Sequence, residues 1–166
     1  MKQQHLKTWS LVFVILLLDQ VLKIVIKTNM TLGETIHVFD WFQIVFVENP
    51  GMAFGMNLGS KLFLTLFRIV LSTLIVYYII RLIRDNYKQS YIYCVALILA
   101  GAIGNIFDSL FYGVIFNEST SMQLASFMPA SGGYAPFLYG KVVDMFYFPI
   151  ISDNAGETIF FRYIFN

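Results

Sequence analysis

The sequence predicts an all-α membrane bundle carrying a small extracytoplasmic β-rich element, and two observations carry that prediction. The first is composition: 58% of residues are hydrophobic, 17% aromatic and only 13% charged, with a mean hydropathy of +0.69, whereas soluble domains carry about 25% charge. The second is segmentation. Three separate apolar stretches run from about Trp9 to Ile26, Leu62 to Ile80 and Tyr91 to Leu110, each close to the ~20 residues that span a bilayer as a helix. The 166 residues make a single integral membrane domain, 1–166.

The first stretch has the basic lead, Lys2 and Lys7, of a signal peptide. Its apolar core gives way to Asp19-Gln-Val-Leu-Lys23 rather than to a small-residue cleavage site, so a retained helix is expected. Between the second and third stretches lies the short basic turn Arg81-Leu-Ile-Arg84-Asp-Asn-Tyr-Lys88. The positive-inside rule puts that turn and the N-terminus in the cytoplasm. Two regions are then external: a β-rich segment over about 30–60 and a loop over about 111–140. Ile36 to Val47 is dense in β-branched and aromatic residues and reads as one or two strands. Glu48-Asn-Pro-Gly51 reads as a turn after them. The outer loop is polar, with Gly and Pro in Pro129-Ala-Ser-Gly-Gly-Tyr-Ala-Pro136.

Several function classes lose support at once. A net charge of +1 leaves no basic stripe to neutralise phosphates, which argues against nucleic acid as a partner. Cys94 is the single cysteine and cannot form an internal disulfide. His5 and His37 lack neighbours at metal-ligand spacing, and Ser72 and Ser109 lack a base at hand for nucleophilic work.

Ionisable residues inside apolar stretches are costly in a bilayer and point to function by default. Asp19, Glu48, Asp108 and Asp144 are such carboxylates. Helices one and three both travel outward, so Asp19 and Lys23 share a membrane level with Asn105 and Asp108. The spacings i,i+4 and i,i+3 place each pair on one helix face. Plainer readings stand beside this one. Asp19 and Lys23 could be an intrahelical ion pair whose lysine snorkels, and Asn105 could hydrogen-bond between helices that Gly101 and Gly104 let approach. Arg68 reads as a structural partner for a carboxylate. Asp144, in the apolar run Gly140-Lys-Val-Val-Asp144-Met-Phe-Tyr-Phe-Pro149, could be a proton-transfer acid or a strand-edge or capping aspartate. A small polar-lined transporter and a non-catalytic membrane scaffold remain alternatives on these residues alone.

Taken together the motifs resemble bacterial lipoprotein signal peptidase, signal peptidase II, over nearly the whole chain. Asp19-Gln-Val-Leu-Lys23 is similar to its Asp-Gln-x-x-Lys signature, and Asn49-Pro-Gly51-Met-Ala53-Phe54-Gly55 to its Asn-x-Gly-x-Ala-Phe/Trp-Gly segment. Gly101-Ala-Ile-Gly104-Asn105-Ile-Phe-Asp108 resembles its third-helix signature, Val142-Val143-Asp144 followed by an aromatic region its Val-Val-Asp-Phe motif, and Phe165-Asn166 the opening of Phe-Asn-x-Ala-Asp.

The resemblance implies an aspartic endopeptidase of the bacterial cytoplasmic membrane with four transmembrane helices, of which this chain carries about three. It implies a prolipoprotein substrate whose cysteine bears diacylglycerol, cleaved on the amino side of that cysteine. It also implies membrane lipids as surroundings, a monomer, and no cofactor or metal. Asp144 matches one catalytic aspartate. Asp19, Lys23, Asn49, Gly51, Asn105, Asp108 and Asn166 match the pocket that orients substrate and dyad. The second aspartate of the family's motif would fall three positions past Asn166, with the fourth helix, so the 166-residue sequence as given is expected not to cleave. Two departures stand out: Ser109 where the family commonly has Arg, and a longer interval between Asp108 and Asp144, which reads as an added outer loop.

Overall fold

The computed structural model describes residues 2–50 and 58–149, the side chains of 58–60 excepted. Its longest elements are three helices, α1 (Lys2–Asn29), α2 (Leu58–Arg84) and α3 (Gln89–Phe107). All three are long and apolar enough to cross a membrane. α1 and α2 run past the apolar stretches that announce them at both ends, because polar end residues stay in helical bonding, whereas α3 starts two residues early and gives way to a π-turn before Leu110. At the end of α1, for example, the Thr28 hydroxyl donates to the Ile24 carbonyl at 2.8 Å.

The helices bury one side and leave the other apolar. On α2, Phe63, Phe67, Val70, Leu74 and Tyr77 repeat at helical spacing and are all exposed. Such a stripe would be a liability in water and suits contact with acyl chains, where only the backbone must be satisfied internally, as a helix does. Inside, α3 lies between α1 and α2. Its Ile92, Ala96, Leu99 and Ala100 pack against Val12 of α1 and Ile79, Leu82 and Ile83 of α2. Small residues at this seam let the backbones approach, which matters where lipid offers no hydrophobic driving force for association.

A tight link turns α2 into α3. Asn86 adopts a left-handed φ of 55°, and the amides of Asn86 and Tyr87 return to the carbonyls of Ile83 and Leu82 at 3.2 and 3.1 Å. This Schellman-type closure satisfies carbonyls the helix end would otherwise orphan, and asparagine tolerates the left-handed residue it requires. The side chain of Gln4 donates to the Tyr87 carbonyl at 3.4 Å, so the N-terminus and the basic turn share one end of the bundle.

At the other end a three-stranded antiparallel sheet is ordered β1 (Thr35–Phe39), β2 (Phe42–Asn49), β3 (Val142–Tyr147). Asp40 and Trp41 join β1 to β2, with Phe39 opposite Phe42. Glu48 and Asn49, expected in a turn, are instead the last two residues of β2. They pair with Val143 and Val142, a strand about a hundred residues away that no local signal reveals.

The register between β2 and β3 shifts by one residue between Ile44 and Val47. Val45 and Phe46 together oppose Met145, a bulge that re-aims the strand beyond it. Its result is that Phe46 and Glu48 point inward with Val143 and Met145, while Val47 and Asn49 share the opposite face with Asp144.

The third helix does not end cleanly. Asp108–Tyr112 forms a π-turn that runs into a further helical turn, Gly113–Ile115. The returning outer loop runs back along this helix end. Amides of Gly140, Leu138 and Ala135 donate to the carbonyls of Ser109, Leu110 and Gly113 at 2.9, 3.3 and 2.9 Å. A Cβ on Gly140 would overlap the Asp108 carbonyl, so only glycine fits this approach. A second core lies beneath the sheet, built from Ile26, Met30, Phe46, Tyr112, Phe116 and Val143 among others.

Candidate active site

Asp19, Gln20, Lys23 and Lys27 lie on one side of α1, at spacings of three and four. The first three meet α3 in a buried network. Lys23 Nζ donates to Asn105 Oδ1 at 3.0 Å and to Asp108 Oδ2 at 2.7 Å, and lies 3.2 Å from Asp19 Oδ2. Gln20 Nε2 donates to Asp108 Oδ1 at 3.0 Å, to Asp19 Oδ2 at 3.1 Å and to the Gly104 carbonyl at 3.3 Å. The Tyr112 hydroxyl completes the set by donating to Gln20 Oε1 at 3.1 Å. The side chains of Lys23 and Asp108 are 3% and 0% exposed, so their charges are tolerable only because both are paired and hydrogen-bonded.

Gly104 permits this meeting. A Cβ there would overlap the Asp19 carboxylate. The pairing of Asp19–Lys23 with Asn105–Asp108 that spacing suggests is therefore a physical contact across α1 and α3. Gln20 and Tyr112 belong to the network as well. Spacing alone does not single them out, although Gln20 lies one residue from Asp19 and three from Lys23.

The network reaches the sheet through the backbone. The Val143 amide donates to Asp108 Oδ2 at 3.2 Å, which fixes β3 one residue before Asp144. Asp144 itself is exposed on the face it shares with Val47 and Asn49. The Asn49 side chain hydrogen-bonds its carboxylate. Although accessible, the Asp144 carboxyl is crowded by surrounding protein, which raises it above the ordinary aspartate range. The charges of Lys23 and Arg68 and the bond from Asn49 oppose that rise.

Arg68 is half-buried on α2 and lines a crevice with Asn49, Lys61, Thr65, Ser109 and Val142. It makes no ion pair among the described residues, so its expected carboxylate partner is absent there; its charge acts on Asp144 through space. Ser109 is buried and donates to the Asn105 carbonyl at 2.9 Å. Gly51 and Asn166 lie outside the described residues.

A second ionic cluster, which spacing does not announce, lies one helical turn further along α1. Lys27 donates to Glu48 Oε1 and, at 2.8 Å, to Ser119 Oγ, which itself bonds Glu48 Oε1 at 2.8 Å. The rings of Phe116 and Tyr134 lie 5.3 Å from Lys27 Nζ and that of Phe46 5.8 Å, within cation–π range. Lys141 Nζ lies 3.5 Å from Glu48 Oε2 and 3.0 Å from Glu118 Oε1. The Tyr134 hydroxyl accepts from the Lys141 amide at 2.6 Å. Burial holds the Tyr134 phenol well above its ordinary range, so it stays neutral here.

The family model for signal peptidase (SPase) II matches residues 11–166. The lipoprotein signal peptidase of Porphyromonas gingivalis is 48% identical over 167 residues, covering 95% of this chain and 74% of that protein. The lipoprotein signal peptidase of Amoebophilus asiaticus is 33% identical, covering 92% and 64%. Two solved structures of a bacterial membrane enzyme, obtained in meso at 2.3 and 1.9 Å, share the fold with TM-scores of 0.60 and 0.62. Both are 23% identical and cover 89% of this chain and 73% or 77% of theirs. The chain belongs to the signal peptidase II family, aspartic-type peptidases of the membrane.

Proposed function

We propose that this protein removes signal peptides from bacterial prolipoproteins whose cysteine carries diacylglycerol, cutting on the amino side of that cysteine with Asp144 as one of two catalytic carboxylates. The observation that carries this reading is the placement of Asp144. It is an accessible acid on a strand whose backbone is tied at Val143 to a saturated, buried polar network. A carboxylate held by such a framework, with its carboxyl pushed above the ordinary aspartate range by burial, is suited to proton transfer.

In the two-acid chemistry that the family resemblance implies, the carboxylates share a proton. The ionised one takes a proton from water as that water attacks the scissile carbonyl, and the protonated one donates to the carbonyl oxygen. Asn49 bonds Asp144 and orients it. Lys23 and Arg68 supply positive potential nearby. Asp19, Asn105 and Asp108 keep Lys23 in place and α3 against α1; with Gly51 and Asn166 they complete the pocket in this proposal. The three membrane-crossing helices provide the lipid surface along which a diacylglyceryl group can approach.

The enzyme acts as a monomer in the cytoplasmic membrane. Its N-terminus and the basic Arg81–Lys88 turn face the cytoplasm, and the sheet and Asp144 face the opposite side. That Gln4 touches Tyr87 at one end of the bundle, with the sheet at the other, supports this orientation.

The test is Asp144→Asn in the product of the whole gene, assayed in membranes against a diacylglyceryl-modified prolipoprotein. Uncleaved substrate should accumulate while insertion and abundance stay normal. Cleavage at the parent rate would sink the proposal, and loss of insertion would favour a scaffold.

A further inference from the structure

We propose that Glu48 is a positioning residue for Asp144, clamped by Lys27 and Ser119 so that the outer loop is a working part of the active site. The proposal rests on the catalytic reading of Asp144 given above. Three segments distant in sequence converge on the one Glu48 side chain, which is 2% exposed. Lys27 comes from the end of α1, and Ser119 from the start of the outer loop. Lys141 comes from the loop's return, immediately before β3.

The strand register explains how this acts on Asp144. Glu48 pairs with Val143, Val47 pairs with Asp144, and the Asn49 side chain bonds the Asp144 carboxylate. Glu48 and Asn49 point to opposite faces of one strand, because side chains alternate along it. Anchoring Glu48 on the inner face therefore fixes where Asn49 presents its amide on the other. The bulge at Val45–Phe46 sets Glu48 inward and Asn49 outward beyond it, and the Glu48 anchor holds the strand end in that register; a slip by one residue would exchange the two faces.

The clamp also bounds the loop. Ser119 and Lys141, near the loop's two ends, grip Glu48; the Tyr134 ring lies over both Lys27 and Lys141, and the Leu32 amide donates to the Thr120 carbonyl at 3.0 Å. Loop, sheet and α1 are thus one assembly. Among the described residues, the groups acting on Asp144 from its neighbouring elements are Lys23 of α1, Arg68 of α2 and Asn49 of β2. Glu48 exerts its effect through the last of these.

The experiment compares Glu48→Gln and Ser119→Ala with the parent enzyme, as products of the whole gene, in a cleavage assay on a diacylglyceryl-modified prolipoprotein across pH. For Glu48→Gln, kcat should fall about 10- to 100-fold, as misplacement of a reacting group by up to about 1 Å does, with KM changing less than about threefold. Loss of the Asn49 bond removes a contribution that holds the Asp144 carboxyl down, so the acid limb of kcat/KM should move upward by about half a pH unit or more. Ser119→Ala, which removes one hydrogen bond and no charge, should shift the same limb in the same direction by less. It decides the matter if Glu48→Gln does not fold. A variant that loses folded protein but keeps the parent kcat and pH profile per folded molecule overturns the proposal, as does an unchanged profile. Asp144→Asn run alongside separates the two claims: if it still cleaves, the catalytic reading fails, whereas an inactive Asp144→Asn with an unaltered Glu48→Gln fails the clamp alone.

Discussion

Lys23 and Lys27 stand one turn apart on the same helix, both almost fully buried, and they are paired in different ways. Lys23 is met from within helices. Asp19 comes from its own helix, Asn105 from α3 and Asp108 from the π-turn that follows, while Gln20 braces the two aspartates and both Asp108 oxygens accept hydrogen bonds. Lys27 is met by a strand, a loop and three aromatic rings. The Glu48 oxygen opposite has only the longer Lys141 contact and no hydrogen bond among the described residues. The first centre holds the helices together and is saturated. The second, called the upper centre against the first or lower one, joins α1 to the sheet and the outer loop and is less complete, so it is where disturbance of the sheet relative to the helices would register.

The largest stability effect that would break this contrast is at Lys27. Replacing it alone, Lys27→Met, leaves the Glu48 carboxylate buried without its main partner, and thermal unfolding in detergent should show a loss of about 3–5 kcal/mol. The double variant Lys27→Met with Glu48→Met should recover most of that loss, because a well-packed apolar pair commonly replaces a buried ion pair at little cost. If the double variant is no better than the single one, the upper centre is not an isolated pair.

At the lower centre, Asp108→Asn keeps the shape but removes the charge facing Lys23. It also changes the acceptor for the Val143 amide. A loss of about 2–3 kcal/mol is expected, since hydrogen bonds to charged groups contribute more than neutral ones, together with slower cleavage through displaced β3. Normal cleavage on a destabilised protein would show that the helix network and Asp144 are uncoupled. Gly104→Ala should cost about 1–3 kcal/mol by forcing the Asp19 carboxylate aside, and the Asp19→Ala background should relieve part of it. At the small end, Glu118→Ala removes an exposed partner of Lys141 and should change stability by less than about 1 kcal/mol. A larger effect would mean that the Lys141 contact carries more of the upper centre than its geometry indicates.

The site's own pH dependence sharpens the comparison further. Burial raises the Asp144 carboxyl while Lys23, Asn49 and Arg68 hold it down. Asn49→Ala should therefore move the acid limb of the cleavage profile to higher pH, and a downward movement would contradict the assigned role of the Asn49 bond.

How much of this was legible in the chain can be told from the same two centres. Apolar run length was enough for the three helices, because a bilayer forces every backbone group into local bonding and makes the segment its own unit. The i,i+4 and i,i+3 spacings were enough to anticipate the lower centre, since helix geometry turns sequence separation directly into facing. The Asp19 and Asp108 pairs and the apolar setting of Asp144 could all be read without coordinates.

Tertiary structure alone decided the rest. Lys27, Glu48, Ser119 and Lys141 come from widely separated positions along the chain and meet only because β2 pairs with β3 and the outer loop folds back over the π-turn. The end of β2 read as a turn because Glu48-Asn-Pro-Gly51 has turn composition, and its strand partner is remote. Helical segments write their faces into local periodicity; a sheet and a returning loop draw theirs from long-range pairing, whose register a one-residue bulge can reset. By itself the sequence determined a membrane bundle with acids in it, and the fold decided which of those acids is tied down and which is left accessible.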